Sequence, residues 1–318
     1  MKNSKLLIIP ILACFFLIAC NNTPKAERTY HIAPEGIFSA SLTPNLALIS
    51  STTKGNAELW QLKPKQLIHA WQHTDEKNGI LYTAISDDEQ YALTAEKESL
   101  AWWRISDGAL MNVWYLPNIH SITLSADGQF ALVGLNDKAI YYSLQHGKTQ
   151  FAFKHESSVT HVDISATNQL AVTGSSDDSA KLWDLNTGQE KFSWAHKSKL
   201  ATVAISPDDS YVLTNEGLGT MRLWKTKSGK LFKQYGPDLI TLSSAAFSSN
   251  SKYLASGRVS QRIDLWNIRH NKLLNYWRPK KESTWSPSAA TILAVSFTAN
   301  DRKIYSIASN GYLQLWRK

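Results

Sequence analysis

Aromatic residues recur along this chain at a nearly constant interval. The pair Leu182-Trp183 has relatives at Leu59-Trp60, Trp102-Trp103, Tyr141-Tyr142, Leu223-Trp224, Leu265-Trp266 and Leu315-Trp316. The second residues serve as anchors: Trp60, Trp103, Tyr142, Trp183, Trp224, Trp266 and Trp316. They are 43, 39, 41, 41, 42 and 50 residues apart. A period of this size means a stacked or circular array of like units, because each unit alone cannot bury its apolar faces.

The rest of each unit repeats as well. An apolar alternation closed by Ser or Thr precedes each of the last six anchors, as in Ala84-Ile85-Ser86 and Ala204-Ile205-Ser206. A polar turn such as Pro207-Asp208-Asp209 follows, then a second apolar run such as Tyr211-Val212-Leu213-Thr214, then the anchor strand. Eleven residues past the first six anchors stand Trp71, Trp114, Phe153, Trp194, Tyr235 and Trp277. Four short strands of period-2 pattern with turn residues between them make one small antiparallel sheet. Set side by side in a ring, the sheets cover one another, and large aromatics fill the wedge that widens outward, each burying roughly 150–250 Å². This placement accounts for most of the twelve Trp.

Over residues 28–318 the pattern resembles the WD40-repeat family, although only Trp183-Asp184 keeps the literal pair. The resemblance implies an all-β fold, a seven-bladed β-propeller with four antiparallel strands per blade. It also implies that His155, Thr173 or Ser175, Asp177 and Trp183 form a structural hydrogen-bond network rather than a catalytic one. The Asp177 position is Lys54, Lys97, Asn136, Leu218, Ser260 and Asn310 in the other blades. His73 and His196 keep the His without that Asp, so their blades are expected to depend more on apolar packing.

Trp316 is followed only by Arg317 and Lys318, so the last unit lacks a fourth strand. Residues 28–33, Arg28 to Ala33, read as that strand, with Tyr30 aligned to Phe192 and Ile32 to Trp194. Pairing with residues 311–317 would close the ring and leave no ragged edge.

The first twenty residues differ from the rest. Lys2 and Lys5 precede an apolar run from Leu6 to Ala19, interrupted by Pro10. A membrane-spanning helix needs about 20 apolar residues, so this run fits a secretory signal better. Leu17-Ile18-Ala19-Cys20 resembles the lipobox of bacterial lipoproteins, which implies cleavage after residue 19 and lipidation of Cys20. Residues 20–27 are then a short tether. An uncleaved anchor and a plain secreted protein are the alternatives. Asn21, rather than Asp, implies the periplasmic face of the outer membrane. The seven residues between Cys20 and Arg28 reach roughly 25 Å when extended, which holds the ring close to the membrane.

Cys14 leaves with the signal and Cys20 takes the lipid, so no disulfide or thiolate site remains in the mature fold. Loss of Lys2 and Lys5 takes the formal charge from +8 to +6. The basic residues are scattered apart from Lys280-Lys281, and no basic stripe argues for nucleic acid. The sequence has no H-E-x-x-H, calcium loop, phosphate loop or nucleophile elbow. No cofactor or metal is expected.

The long last interval places extra residues between Trp277 and Ile292. They include Arg278, Lys280, Lys281 and Trp285 between prolines. Trp and Arg are favoured interface anchors, so these four are candidate partner-binding residues. The alternative for Trp285 is a plug in the channel or a cap on the last blade. A second long loop, Thr74 to Asn78, falls on the same rim. The expected function is a non-enzymatic protein-interaction platform, a monomeric propeller within a cell-envelope complex. An enzyme or small-ligand sensor at the channel mouth is the alternative, with His120, His161 and Asp163 as its candidate groups.

Overall fold

A computed structural model describes residues 24–53, 55–73, 79–281 and 290–318. Its strands form seven four-stranded antiparallel sheets. Each sheet is one blade, with strands a to d running from the inside outward. Blade 1 runs from Ile37–Leu42 to Lys65–Trp71, and blade 2 from Tyr82–Ile85 to Leu110–Tyr115. Blade 3 runs from Ser121–Leu124 to Lys148–Lys154, and blade 4 from Val159–Ile164 to Glu190–Ala195. Blade 5 runs from Leu200–Ile205 to Leu231–Ile240, and blade 6 from Leu242–Phe247 to Lys272–Trp277.

Blade 7 takes strands a to c from Ile292–Phe297, Lys303–Ala308 and Tyr312–Arg317. Its strand d is Arg28–His31, from the other end of the chain. The ring therefore closes through the first segment, as expected, but the register differs by two residues. Tyr30 pairs with Leu313, the place that Trp194 takes opposite Ala180 in blade 4. Arg28, not Tyr30, occupies the position of Phe192. Ile32 lies beyond the strand, donates its N–H to Gly311 O and is buried between blades 7 and 1. Strand d of each complete blade carries an extra residue in a bulge opposite the anchor.

That bulge recurs in blades 1 to 6, each time between the anchor and the residue before it. Bulges sharpen the twist of a strand, which suits the outer part of a blade. The aromatics meet across the seams as the spacing implies. Trp71 stacks on Trp103 at 5.1 Å, Phe153 on Trp183 at 4.7 Å and Trp194 on Trp224 at 5.2 Å. Trp114 and Tyr235 meet Tyr142 and Trp266 edge-on, and Trp277 meets Trp316 at 6.1 Å. At the closing seam Lys65 Nζ sits 5.4 Å from the Tyr30 ring and 4.9 Å from the Trp60 ring, so a cation joins the pair. Each pair adds about 0.5–1.5 kcal/mol beyond its buried area.

The inner strands are tied by side chains. Ser121 Oγ donates to Val159 O (3.0 Å), Thr202 Oγ1 to Leu242 O (3.1 Å) and Ser244 Oγ to Ile292 O (2.8 Å), each reaching the next blade. These bonds explain why small hydroxyl residues, rather than larger apolar ones, line the ring's interior.

Candidate functional site

Blade 4 holds the complete version of the expected network. Trp183 Nε1 donates to Thr173 Oγ1 at 2.9 Å. His155 Nε2 lies 2.7 Å from the same hydroxyl, and His155 Nδ1 lies 2.8 Å from Asp177 Oδ2. Burial pushes the His155 imidazole below its ordinary pKa, against the pull of Asp177, so the ring is neutral. An ionised carboxylate then fixes the protons. His155 donates from Nδ1 to Asp177, Thr173 donates to Nε2, and the indole donates to Thr173.

Burial works against the Asp177 charge. Bonds from the Ser179 hydroxyl, the Glu156 N–H and His155 nevertheless hold its carboxyl down to about 2. Ser175 lies outside this chain: it donates to Ser157 O and accepts from Asp177 N–H, shaping the turn. Ser179, which donates to Asp177 Oδ1 at 2.6 Å, is the member that spacing did not reveal. Thr173 is fully buried and its hydroxyl is committed on both sides.

Blades 2 and 5, expected to depend more on apolar packing because they keep His73 and His196 without that Asp, bring a Glu carboxylate near the His from another position. In blade 2, His73 Nδ1 meets Ser99 Oγ, which donates to Glu96 Oε2, while Nε2 meets Thr94, the acceptor of the Trp103 indole. Burial holds His73 down to about 4. In blade 5, Arg222 donates to both His196 Nδ1 (2.7 Å) and Glu216 Oε1 (3.1 Å). Glu96 and Glu216 stand seven and eight residues before their anchors. The longer Glu side chain reaches from there what Asp177 reaches from six.

The channel is a cavity of about 480 Å³ lined by strands a of all seven blades. His120, His161 and Asp163 line it, as the ionisable exceptions in the sequence suggest. His120 Nε2 bonds Asn136 Oδ1 at the rim. Asp163 accepts the N–H groups of Ile164 (3.0 Å) and of Ile205 in blade 5 (2.8 Å), one on each oxygen. Burial pushes its carboxyl up to about 7 and the His161 imidazole down to about 4. Among the described residues no three His, Cys, Asp or Glu side chains are grouped to hold a metal ion.

Strand polarity places every d-to-a loop and every b-to-c turn on one rim. Four large apolar side chains stand exposed there: Phe38, Tyr115, Leu218 and Val259. Tyr115 is 77% exposed and Leu218 69%. Leu218 sits at positive φ in the turn Gly217-Leu218-Gly219, where an apolar side chain gains nothing from packing. Sequence reasoning missed these four, because the shared rim becomes visible only once blade polarity is known. Arg278, Lys280 and Lys281 are exposed on the same side. Their loop starts from a fixed point: Lys280 N–H donates to Gln314, and its carbonyl accepts from Gln261 and Asn310. Trp285, Lys54, the loop from Thr74 to Asn78, and Cys20 with its lipobox lie outside the described residues.

The four-strand blade, the buried anchor and the His155–Thr173–Trp183 chain coincide in one stretch. Residues 147–184 match the family model of the WD domain, G-beta repeat. The match runs from strand d of blade 3 through strand c of blade 4, so it spans a seam and holds the complete network. The matched stretch thus joins two blades instead of coinciding with one. No curated protein matches the chain.

Proposed function

We propose that this protein is a non-enzymatic interaction platform, held by lipid at Cys20 on the periplasmic face of the outer membrane. Its rim of d-to-a and b-to-c loops binds protein partners of the cell envelope. The observation that carries the reading is the exposure of Phe38, Tyr115, Leu218 and Val259, from four blades, on that rim. The other exposed large apolar side chains among the described residues, such as Leu67 and Leu274, lie along the outer strands of the blades. Exposed aromatic and apolar groups on one face are what a partner buries. Lys281 belongs to the same rim, and Arg278 and Lys280 to its outer edge. Propellers with WD repeats commonly work as protein-interaction scaffolds, which agrees with this reading.

A photo-crosslinking residue at Tyr115 or Leu218 tests it, with Lys227 on the opposite rim as control. Discrete adducts in intact cells are expected from the first two positions only. Equal labelling from all three positions contradicts the reading.

A channel that takes a small ligand is the second reading, favoured by His161 and Asp163 lying two residues apart in the cavity. A ligand there raises the melting temperature of the wild type but not of a His161→Gln, Asp163→Asn protein. No shift across polar metabolites removes it.

A further inference from the structure

Residues 24–27 do not leave the ring at once. Glu27 N–H donates to Leu315 O at 2.7 Å, and its carboxylate pairs with Lys303 at 2.5 Å. Ala26 packs against the cluster that holds Trp277 and Trp316, at the seam of blades 6 and 7. The chain thus folds into the outer part of that seam and borders a groove of about 370 Å³. Lys25, Arg278 and Lys280 line the groove, with Thr29, Gln314 and Trp316 at its floor.

The three cations are exposed, and among the described residues none pairs with a carboxylate. Lys280 Nζ rests 5.0 Å from the Tyr312 ring, a contact that places the charge without neutralising it. They come from opposite ends of the chain, and only ring closure brings them together.

The remaining fact is one of length. Four residue steps separate Cys20 from Pro24, at most roughly 14 Å when extended. The groove is therefore held within about two screening lengths of the membrane, at about 8 Å each. We infer that the cationic groove between blades 6 and 7 seats the phosphate headgroups of anionic phospholipids in the membrane that carries the anchor. This assignment rests on lipidation of Cys20. Because the groove lies on the outer strands, the ring then stands edge-on to the bilayer, and the rim with Phe38, Tyr115 and Leu218 stays open to partners.

The test uses the protein from residue 21 onward and vesicles of phosphatidylcholine, alone or with an equal part of phosphatidylglycerol. One variant carries Lys25→Glu, Arg278→Glu and Lys280→Glu. A control carries Lys148→Glu, Lys154→Glu and Lys191→Glu, the same charge change on the far blades 3 and 4. Co-sedimentation is expected only with the anionic vesicles, and added salt weakens it. Each cation near a charged surface is worth about fivefold in binding, so the seam variant should lose roughly a hundredfold and the control much less. Equal loss in both variants, or in neither, overturns the inference. Mass spectrometry of the N-terminal peptide from cell membranes reports the anchor separately. A lipidated Cys20 without seam-specific binding removes the groove and leaves the anchor. An unmodified Cys20 with seam-specific binding removes the anchor and leaves the groove.

Discussion

Arg28 lies opposite Leu315 in antiparallel register, 287 positions apart in the chain, as the start of the strand that completes blade 7. One short segment thereby closes the ring.

Gly311 tests the tightness of that closure. It has φ +81°, and a Cβ built there would lie 1.8 Å from Ala33 O. The Gly311→Ala protein is expected to lose about 2 kcal/mol or more of stability, from strain at positive φ and from displacement of residues 32–33. Denaturant titration measures it. A change within about 0.5 kcal/mol means that the closing strand is loosely held.

The network of blade 4 makes a graded prediction. Thr173→Val leaves both the Trp183 N–H and His155 Nε2 buried without partners, at a cost of about 2–4 kcal/mol. Asp177→Asn keeps an acceptor for His155 and is expected to cost about 1 kcal/mol. The reverse order would contradict the proton assignment.

Acid should weaken the fold. Burial holds His73 and His161 down to about 4, against an ordinary 6.5, and lowers His155 and His196 as well. Below pH 6.5 the unfolded chain binds protons that the folded chain refuses. Stability is therefore full above pH 6.5 and falls as the pH drops toward 4. Asp163 acts oppositely: raised by burial to about 7 from 3.8, it holds its proton in the folded state and gains stability over that range as pH falls. The four histidines outweigh it. One differentially bound proton is worth about 1.4 kcal/mol per pH unit. Denaturation midpoints at pH 7 and 5 are expected to fall, and His161→Gln should shrink the drop. An unchanged drop means that His161 accepts a proton in the channel.

The ring itself was legible because its determinants repeat. Seven anchors and six partner aromatics sit at fixed offsets, and a repeated error is improbable. Determinants that occur once were less legible. Tyr30 stands two residues from its expected place because Ile32 bonds the Gly311 turn and packs against blade 1, beyond the strand. Glu96 and Glu216 were overlooked because a longer side chain acts from a different position. Leu218 stands in the sequence only as the residue at the Asp177 position of its blade, since its exposure depends on which rim the turn occupies. His161 and Asp163 stood out only as polar residues in otherwise apolar or hydroxyl-bearing strands, and their bonds come from blade 5 as well as their own.

Thermal unfolding of two soluble forms, one starting at residue 21 and one at residue 34, tests the closure most directly. Removing Arg28–His31 bares the edge of Tyr312–Arg317 and uncovers the cluster of Tyr305, Ile307, Leu313 and Leu315. The shorter form is expected to melt at least about 10 °C lower, several kcal/mol for a chain of this size. Equal melting temperatures would contradict a ring that the first strand holds shut.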